Sequence, residues 1–248
     1  MGVTGNKRDV KGVVFLDSET TGLQPPRDRV VELALIDGQG TVLLNTLVDP
    51  ERAIPERVVK IHGITDAMVA GAPSFTEVLA ALERHLSSAG RLVIYNADFD
   101  LAFFPAHVRE SLEVICVMKW FIAIYEALEG HFSSRRFPLA KAFNLATGRD
   151  IRSLGPPHRA LTDCRAAWHV WRWCEEKSAF IDSHPDASRT RRAYCDRCRK
   201  ETPFRLRLRY REDYPRYYEC QECLENHISL SDMAKTLKKS KETATEGD

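Results

Sequence analysis

The chain has no apolar run of the length a bilayer-crossing helix requires. It also has almost no net charge, with 36 Lys and Arg against 35 Asp and Glu. Overall charge therefore names no partner, and only its distribution can. The polar start, Met1 to Lys11, has no apolar core of the signal-peptide kind. Gly2 invites myristoylation, but Asn6 stands where Ser or Thr is wanted. Cysteines number seven, an odd count, and four of them form two close pairs near the C-terminus. That usage suits a metal site in a reducing compartment better than a disulfide framework. A soluble cytoplasmic protein is expected, and 248 residues leave room for one large domain and a small one.

The stretch around which the chain is organised is Phe15-Leu16-Asp17-Ser18-Glu19-Thr20-Thr21-Gly22-Leu23. It begins in an apolar run, Val13 to Leu16, that reads as a buried strand. Asp17 and Glu19 follow at a spacing of two, which puts both carboxylates on one face of a strand. Two acids so placed repel and resist desolvation unless a cation lies between them, and hard oxygen ligands suit magnesium or manganese. On its own the pair fits a solvated strand end equally well.

Two more strands are predicted at residues 30–36 and 41–48, joined by a hairpin turn at Asp37-Gly38-Gln39-Gly40, so the first three form an antiparallel meander. Ser74-Phe75-Thr76-Glu77 is a capping box opening a helix that Gly90 ends. Residues 91–96 read as a fourth strand feeding a helix at 97–104, and Val114 to Val117 as a short fifth. Helical patterns follow at 120–128, 139–145 and 160–174. Strands followed by alternating strand and helix imply a mixed α/β sheet with helices packed on it.

The last of those helices carries Asp163 on the same face as Ala166, Ala167, Val170 and Cys174. An acid on an apolar helix face near its start either caps the helix or holds a metal. His158 precedes it in a loop stiffened by Gly155-Pro156-Pro157. A composition shift follows Lys177. Cys195-Asp196-Arg197-Cys198 and Cys220-Gln221-Glu222-Cys223 are two CxxC knuckles, the signature of a tetrahedral structural zinc site. His227 is a less suitable substitute for one thiolate. Between the knuckles, Arg205, Arg207, Arg209 and Arg211 alternate with Leu206, Leu208 and Tyr210. From Arg189 to Arg216 there are eleven basic and four acidic residues, with aromatics interleaved. Charge, zinc scaffold and aromatics together favour nucleic-acid contact over a merely solvated face.

These motifs together resemble the DEDDh group of 3′-to-5′ exonucleases, which includes proofreading subunits of bacterial replicative polymerases. The matching pieces are Phe15 to Leu23, Asn96-Ala97-Asp98-Phe99-Asp100, and His158-Arg159-Ala160-Leu161-Thr162-Asp163, with His62-Gly63-Ile64-Thr65-Asp66 also family-like. The resemblance spans about residues 11–177 and implies a ribonuclease-H-like fold. It implies that Asp17, Glu19, Asp100 and Asp163 bind two Mg²⁺ or Mn²⁺ ions and that His158 is the general base. Thr20, Thr21, Gly22, Leu23 and Asn96 would meet the terminal nucleotide. Asp98 reads as a helix cap rather than the family's acid, and His62 as packing or a hydrogen bond. Tyr95 departs from the pattern, since relatives often carry His there.

The organisation expected is an exonuclease domain at 1–182, a linker at 183–193, a zinc ribbon at 194–232 held by Cys195, Cys198, Cys220 and Cys223, and a disordered tail at 233–248. The implied partner is a nucleic-acid 3′ end, single-stranded DNA foremost, with nucleoside 5′-monophosphates as products. The competing readings are an RNA 3′-end-trimming enzyme, a non-catalytic adaptor, and a ribbon that docks a protein.

Overall fold

The computed structural model describes residues 12–110, 112–129, 136–183, 190–207, 217–223 and 227–229. Arg209, Arg211, residues 184–189 of the expected linker and the tail from 233 onward lie outside them. The elements in chain order are β1 (Val13–Thr20), β2 (Val30–Asp37), β3 (Val42–Leu47), α1 (Glu56–His62), α2 (Asp66–Val69), α3 (Phe75–Leu86), β4 (Arg91–Ile94) and α4 (Ala97–Asp100). Then come α5 (Ala106–Glu110), β5 (Glu113–Cys116), α6 (Val117–Glu129), α7 (Leu139–Thr147), α8 (Ala160–Ser183), β6 (Thr190–Cys195), β7 (Lys200–Arg207), β8 (Tyr217–Cys220) and β9 (His227–Ser229). The chain divides into two compact units, residues 1–121 with 133–173 and residues 122–132 with 174–248. Among the described residues no helix is long and apolar enough to cross a membrane.

The first unit holds a five-stranded sheet of order β3-β2-β1-β4-β5. β1, β2 and β3 pair antiparallel, as the hairpin signal predicts, while β4 and β5 are parallel to β1 and to each other. The Asp37 carboxylate accepts the N–H groups of Gln39 and Thr41, and Gly40 takes φ 85, which fixes the first hairpin. Ser74 and Glu77 form the expected capping box. The helix it opens ends at Leu86 rather than at Gly90. Gly90 instead donates its N–H to the Gly12 carbonyl at 2.6 Å, where β1 and β4 start side by side. α8 runs well past Cys174, because nothing before Ser183 supplies a stop signal.

β1 extends through Thr20, so Asp17 and Glu19 lie within the strand. Directly opposed residues of an antiparallel pair share a face. Asp17 pairs with Ala34 and Glu19 with Glu32, which places all three carboxylates on one side of the sheet. The start of α8 covers that side. The Cys164 thiol reaches the carbonyls of Phe15 and Ala34 at 3.4 and 3.5 Å, and the Trp171 ring meets Phe15 edge-on at 5.4 Å. On the opposite face Val31 packs with Ile54, Val58, Ile64 and Val69. Burial from both sides accounts for the apolar run of β2, which Glu32 alone interrupts before Asp37.

The second unit contains a four-stranded antiparallel sheet, β6-β7-β8-β9. Its small core is Ala193, Cys195, Phe204 and Cys220. Cys195 ends β6 and Cys220 ends β8, with Cys198 and Cys223 in the turns that follow. Arg205 and Arg207 occupy alternate positions of β7, opposite Glu219 and Tyr217.

Candidate active site

Four acids from three separate parts of the chain meet at the ends of the central strands. Asp17 and Glu19 come from β1, Asp100 from the last residue of α4 just beyond β4, and Asp163 from the first turn of α8. The buried Asp100 Oδ1 accepts both the Ser18 N–H at 3.1 Å and the Ser18 hydroxyl at 2.8 Å. Ligand atoms of Glu19, Asp163 and the exposed His158 all lie within 4.8 Å of one another.

Burial and mutual repulsion set the electrostatics. Burial first, then the charges of Asp100, Asp163, Glu19 and Glu32, hold the Asp17 carboxyl well above the usual carboxylate range. Glu19 is pushed up to about 8 by burial, then by Asp163, Glu32 and Asp100, with Arg159 opposing. Asp100 rises to about 7 through burial, against the hydrogen bonds from Ser18. Burial also raises Asp163 to about 7, although the His158 backbone N–H works to lower it. The buried Oδ1 of Asp163 has no hydrogen-bond partner among the described residues. An uncompensated oxygen within a group of acids that resist ionisation is the environment a hard cation neutralises.

His158 adopts φ 55, the left-handed region that costs a non-glycine residue about 1 kcal/mol. The loop is held on both sides. Behind it, Gly155 is compact because a Cβ there would stand 2.6 Å from the Thr162 hydroxyl. Ahead of it, Arg159 grips Glu32: Nε lies 3.1 Å from both carboxylate oxygens and Nη2 lies 2.6 Å from Oε1. The Ala160 N–H adds a 2.8 Å bond to Glu32 Oε2. Neither Glu32 nor Arg159 stands out in the sequence as a functional residue. The available signal is one charged residue inside the otherwise apolar run of β2.

The Thr20 to Leu23 segment forms a tight corner beside the acids. The Thr20 hydroxyl donates to the Gly22 carbonyl at 2.6 Å, and the Thr21 hydroxyl to Asp28 Oδ1 at 3.2 Å. A Cβ on Gly22 would stand 2.3 Å from Asp28 Oδ2, so a larger residue there would displace the Asp28 side chain. Leu23 is 77% exposed at the tip. Asn96 occupies the turn between β4 and α4, its carbonyl accepting the N–H groups of Phe99 and Asp100. Asp98 does not cap α4; it faces outward to Lys119 at 2.8 Å and Arg109 at 3.8 Å. His62 is buried, with Nδ1 accepting the Ile64 N–H at 3.0 Å. The Tyr95 hydroxyl donates to the Phe137 carbonyl. A cavity of about 620 Å³ adjoins the 21–29 loop, lined by Pro25, Pro26, Phe75 and Phe103 among others. None of the four clustered acids lines it.

In the second unit the four sulfur atoms of Cys195, Cys198, Cys220 and Cys223 lie within 4.8 Å of one another. Such closeness among free thiols matches a tetrahedral metal site. The Thr202 hydroxyl and local N–H groups outweigh burial at Cys220 and bring its thiol down to about 6. Cys116, Cys164 and Cys174 are buried singly, their thiols pushed up by burial.

A mixed sheet of this order, with acids gathered over the ends of its central strands, defines a nuclease of the ribonuclease-H-like kind. The chain belongs to the RNase T family of exonucleases, whose model matches residues 14–170. It is 35% identical to an uncharacterized exonuclease of Escherichia phage 186 over 61% of this chain and 82% of that one. It is 39% identical to the DNA polymerase III subunit epsilon of Treponema pallidum over 62% of this chain and 72% of that one. A solved structure of exonuclease I shares the fold with a TM-score of 0.51 at 15% identity, over 81% of this chain and 52% of that one. The protein is an exonuclease acting on nucleic acid.

Proposed function

We propose that this enzyme removes nucleotides from the 3′ end of DNA, single strands foremost, and releases nucleoside 5′-monophosphates. The observation that carries the reading is the cluster of Asp17, Glu19, Asp100 and Asp163, which mutually oppose ionisation, with His158 within 4.8 Å of Glu19 and Asp163. The relative named as a DNA polymerase III subunit supports DNA as the substrate.

The four carboxylates fit two Mg²⁺ or Mn²⁺ ions, as the unsatisfied Asp163 Oδ1 indicates. When bound, such ions stabilise charge on the attacking and leaving oxygens. The protein's own part is positional and acid–base. His158 accepts the proton of the attacking water at an imidazole nitrogen, a role suited to a group with a reference pKa of about 6.5. Thr20 to Leu23 and Asn96 seat the terminal nucleotide. Ser18 holds Asp100 in place through two hydrogen bonds.

The four cysteines fit one structural Zn²⁺, which leaves that site no open position for catalysis. The cationic run that includes Arg205, Arg207, Arg209 and Arg211 extends the grip on the substrate backbone. The exonuclease domain is assigned to residues 1–182, the linker to 183–193 and the ribbon to 194–232, in a cytoplasmic protein.

The deciding experiment is digestion of single- and double-stranded DNA and RNA, each labelled at one end or the other, with Mg²⁺ or Mn²⁺. A 3′ label should leave at once as a 5′-mononucleotide, while a 5′ label should give a shortening ladder. The opposite pattern refutes the direction, and faster digestion of RNA refutes the substrate.

A further inference from the structure

Glu32 is the acid in this neighbourhood whose charge is already matched within the protein. Its side chain is 4% exposed, it faces Glu19 across the β1–β2 ladder, and its repulsion adds to that on Asp17, Glu19 and Asp163. A buried ion pair is weak as a stabilising device, and an apolar pair of similar volume commonly serves the core as well. A buried carboxylate beside four others therefore calls for another explanation.

Its partners supply one. The Arg159 fork and the Ala160 N–H both bind Glu32, and both belong to the residues that immediately follow His158. His158 thus directly precedes the two anchored residues, in a left-handed conformation that persists only where its surroundings over-determine it. Its imidazole is exposed, and Pro156 and Pro157 come before it, so the clamp to β2 is what ties this corner of the loop to the sheet.

We propose that Glu32 and Arg159 are positioning residues, a bidentate clamp that holds His158 over Glu19 and Asp163. The proposal rests on the reading of His158 as the base. Glu32 touches no reacting atom: its carboxylate is consumed by the guanidinium and the helix N–H, which keeps it out of the metal set.

A double-mutant cycle on the full-length protein tests this, with end-labelled single-stranded DNA and saturating Mn²⁺. Glu32→Gln should lower kcat by about tenfold or more, the scale of a small misplacement of a reacting group, with KM and the half-saturating Mn²⁺ concentration unchanged. In a His158→Ala background the same change should cost nothing further, because the group it positions is gone. An equal loss in both backgrounds overturns the clamp, and so does a Glu32→Gln rate within about twofold of wild type. A rate restored by extra Mn²⁺ also overturns it and makes Glu32 part of the metal site. If His158→Ala alone keeps full activity, the base reading fails, a result that the single variant reports separately. Should Glu32→Gln lack a cooperative unfolding transition, Arg159→Lys takes its place. That variant keeps the buried charge paired but loses the fork, and should show the same fall in kcat with no fall in KM.

Discussion

Glu19 and Glu32 stand directly opposite each other on adjacent strands, and of the two only Glu32 is held in a guanidinium fork among the described residues. The other member is the one whose carboxyl is displaced to about 8. Two like residues in one register are thus split into a matched charge and an unmatched one, and the unmatched one faces the acid cluster.

The acid cluster makes the metal-free protein sensitive to alkali. Glu19, Asp100 and Asp163 have folded-state values of about 8, 7 and 7, above their unfolded values, so the folded form binds more protons. The associated stability is fully present below pH about 4 and is lost as pH rises through 7 to 8. In chelator, Tm should fall across that window, and added Mn²⁺ should restore it, more at pH 8 than at pH 6. A Tm that rises with pH in chelator refutes the electrostatic picture.

Removing a repelling acid should separate activity from stability. Asp17→Asn should reduce hydrolysis by about a thousandfold or more while raising the metal-free Tm by a few degrees at pH 8, about 2–4 °C per kcal/mol. Asp98→Asn is the comparison, because Asp98 pairs with the surface cations Lys119 and Arg109. It should retain most activity.

His158→Ala should lower turnover by about a hundredfold or more, the range for a lost general base, with no change in the metal concentration needed. Full recovery at higher metal would identify His158 as a ligand instead.

Gly22→Ala places a methyl group against the Asp28 carboxylate that fastens Thr21 and the Gln24 N–H. Loosening that corner should raise KM by about tenfold with kcat and Tm nearly unchanged, a loss of substrate seating alone. Unaltered KM would remove the 20–23 segment from the binding surface.

Elemental analysis after mild dialysis should find one zinc per chain, and none when Cys198 and Cys220 are both changed to Ser. Substitution of Arg205 and Arg207 by Gln should weaken binding of long DNA and flatten its salt dependence, by about one unit of log–log slope for each phosphate that is no longer neutralised. An unchanged slope would point the ribbon toward a protein partner.

The sequence makes the meander legible because Asp37 to Gly40 is a strong turn and the flanking runs are unmistakably strand-like. It places Asp17 and Glu19 on one face because a strand repeats every two residues. Longer-range arrangements leave a fainter trace. Glu32 and its partner Arg159 are 127 residues apart, and a single charge in an apolar run does not name what will neutralise it. The end of α3 is misread at Gly90 for a related reason. A glycine after a helix resembles a terminator, and only the parallel placement of β4 against β1 reveals that Gly90 lies at the start of β4, with its N–H bonded to the Gly12 carbonyl. Asp98 and Asp100 differ by two positions on α4, and it is Ser18, on β1, that engages one and not the other.

The bond from Ser18 to Asp100 joins residues 82 positions apart. The remaining acid enters later still, on α8. On the proposed assignment, a ribosome making this protein exposes a chain whose acid set is incomplete until most of the first unit has emerged and β4 has docked beside β1. Prematurely terminated products that stop short of α8 carry at most three of the acids and no His158. On that assignment, a fragment that ends before α8 lacks the complete site through the order of the chain alone.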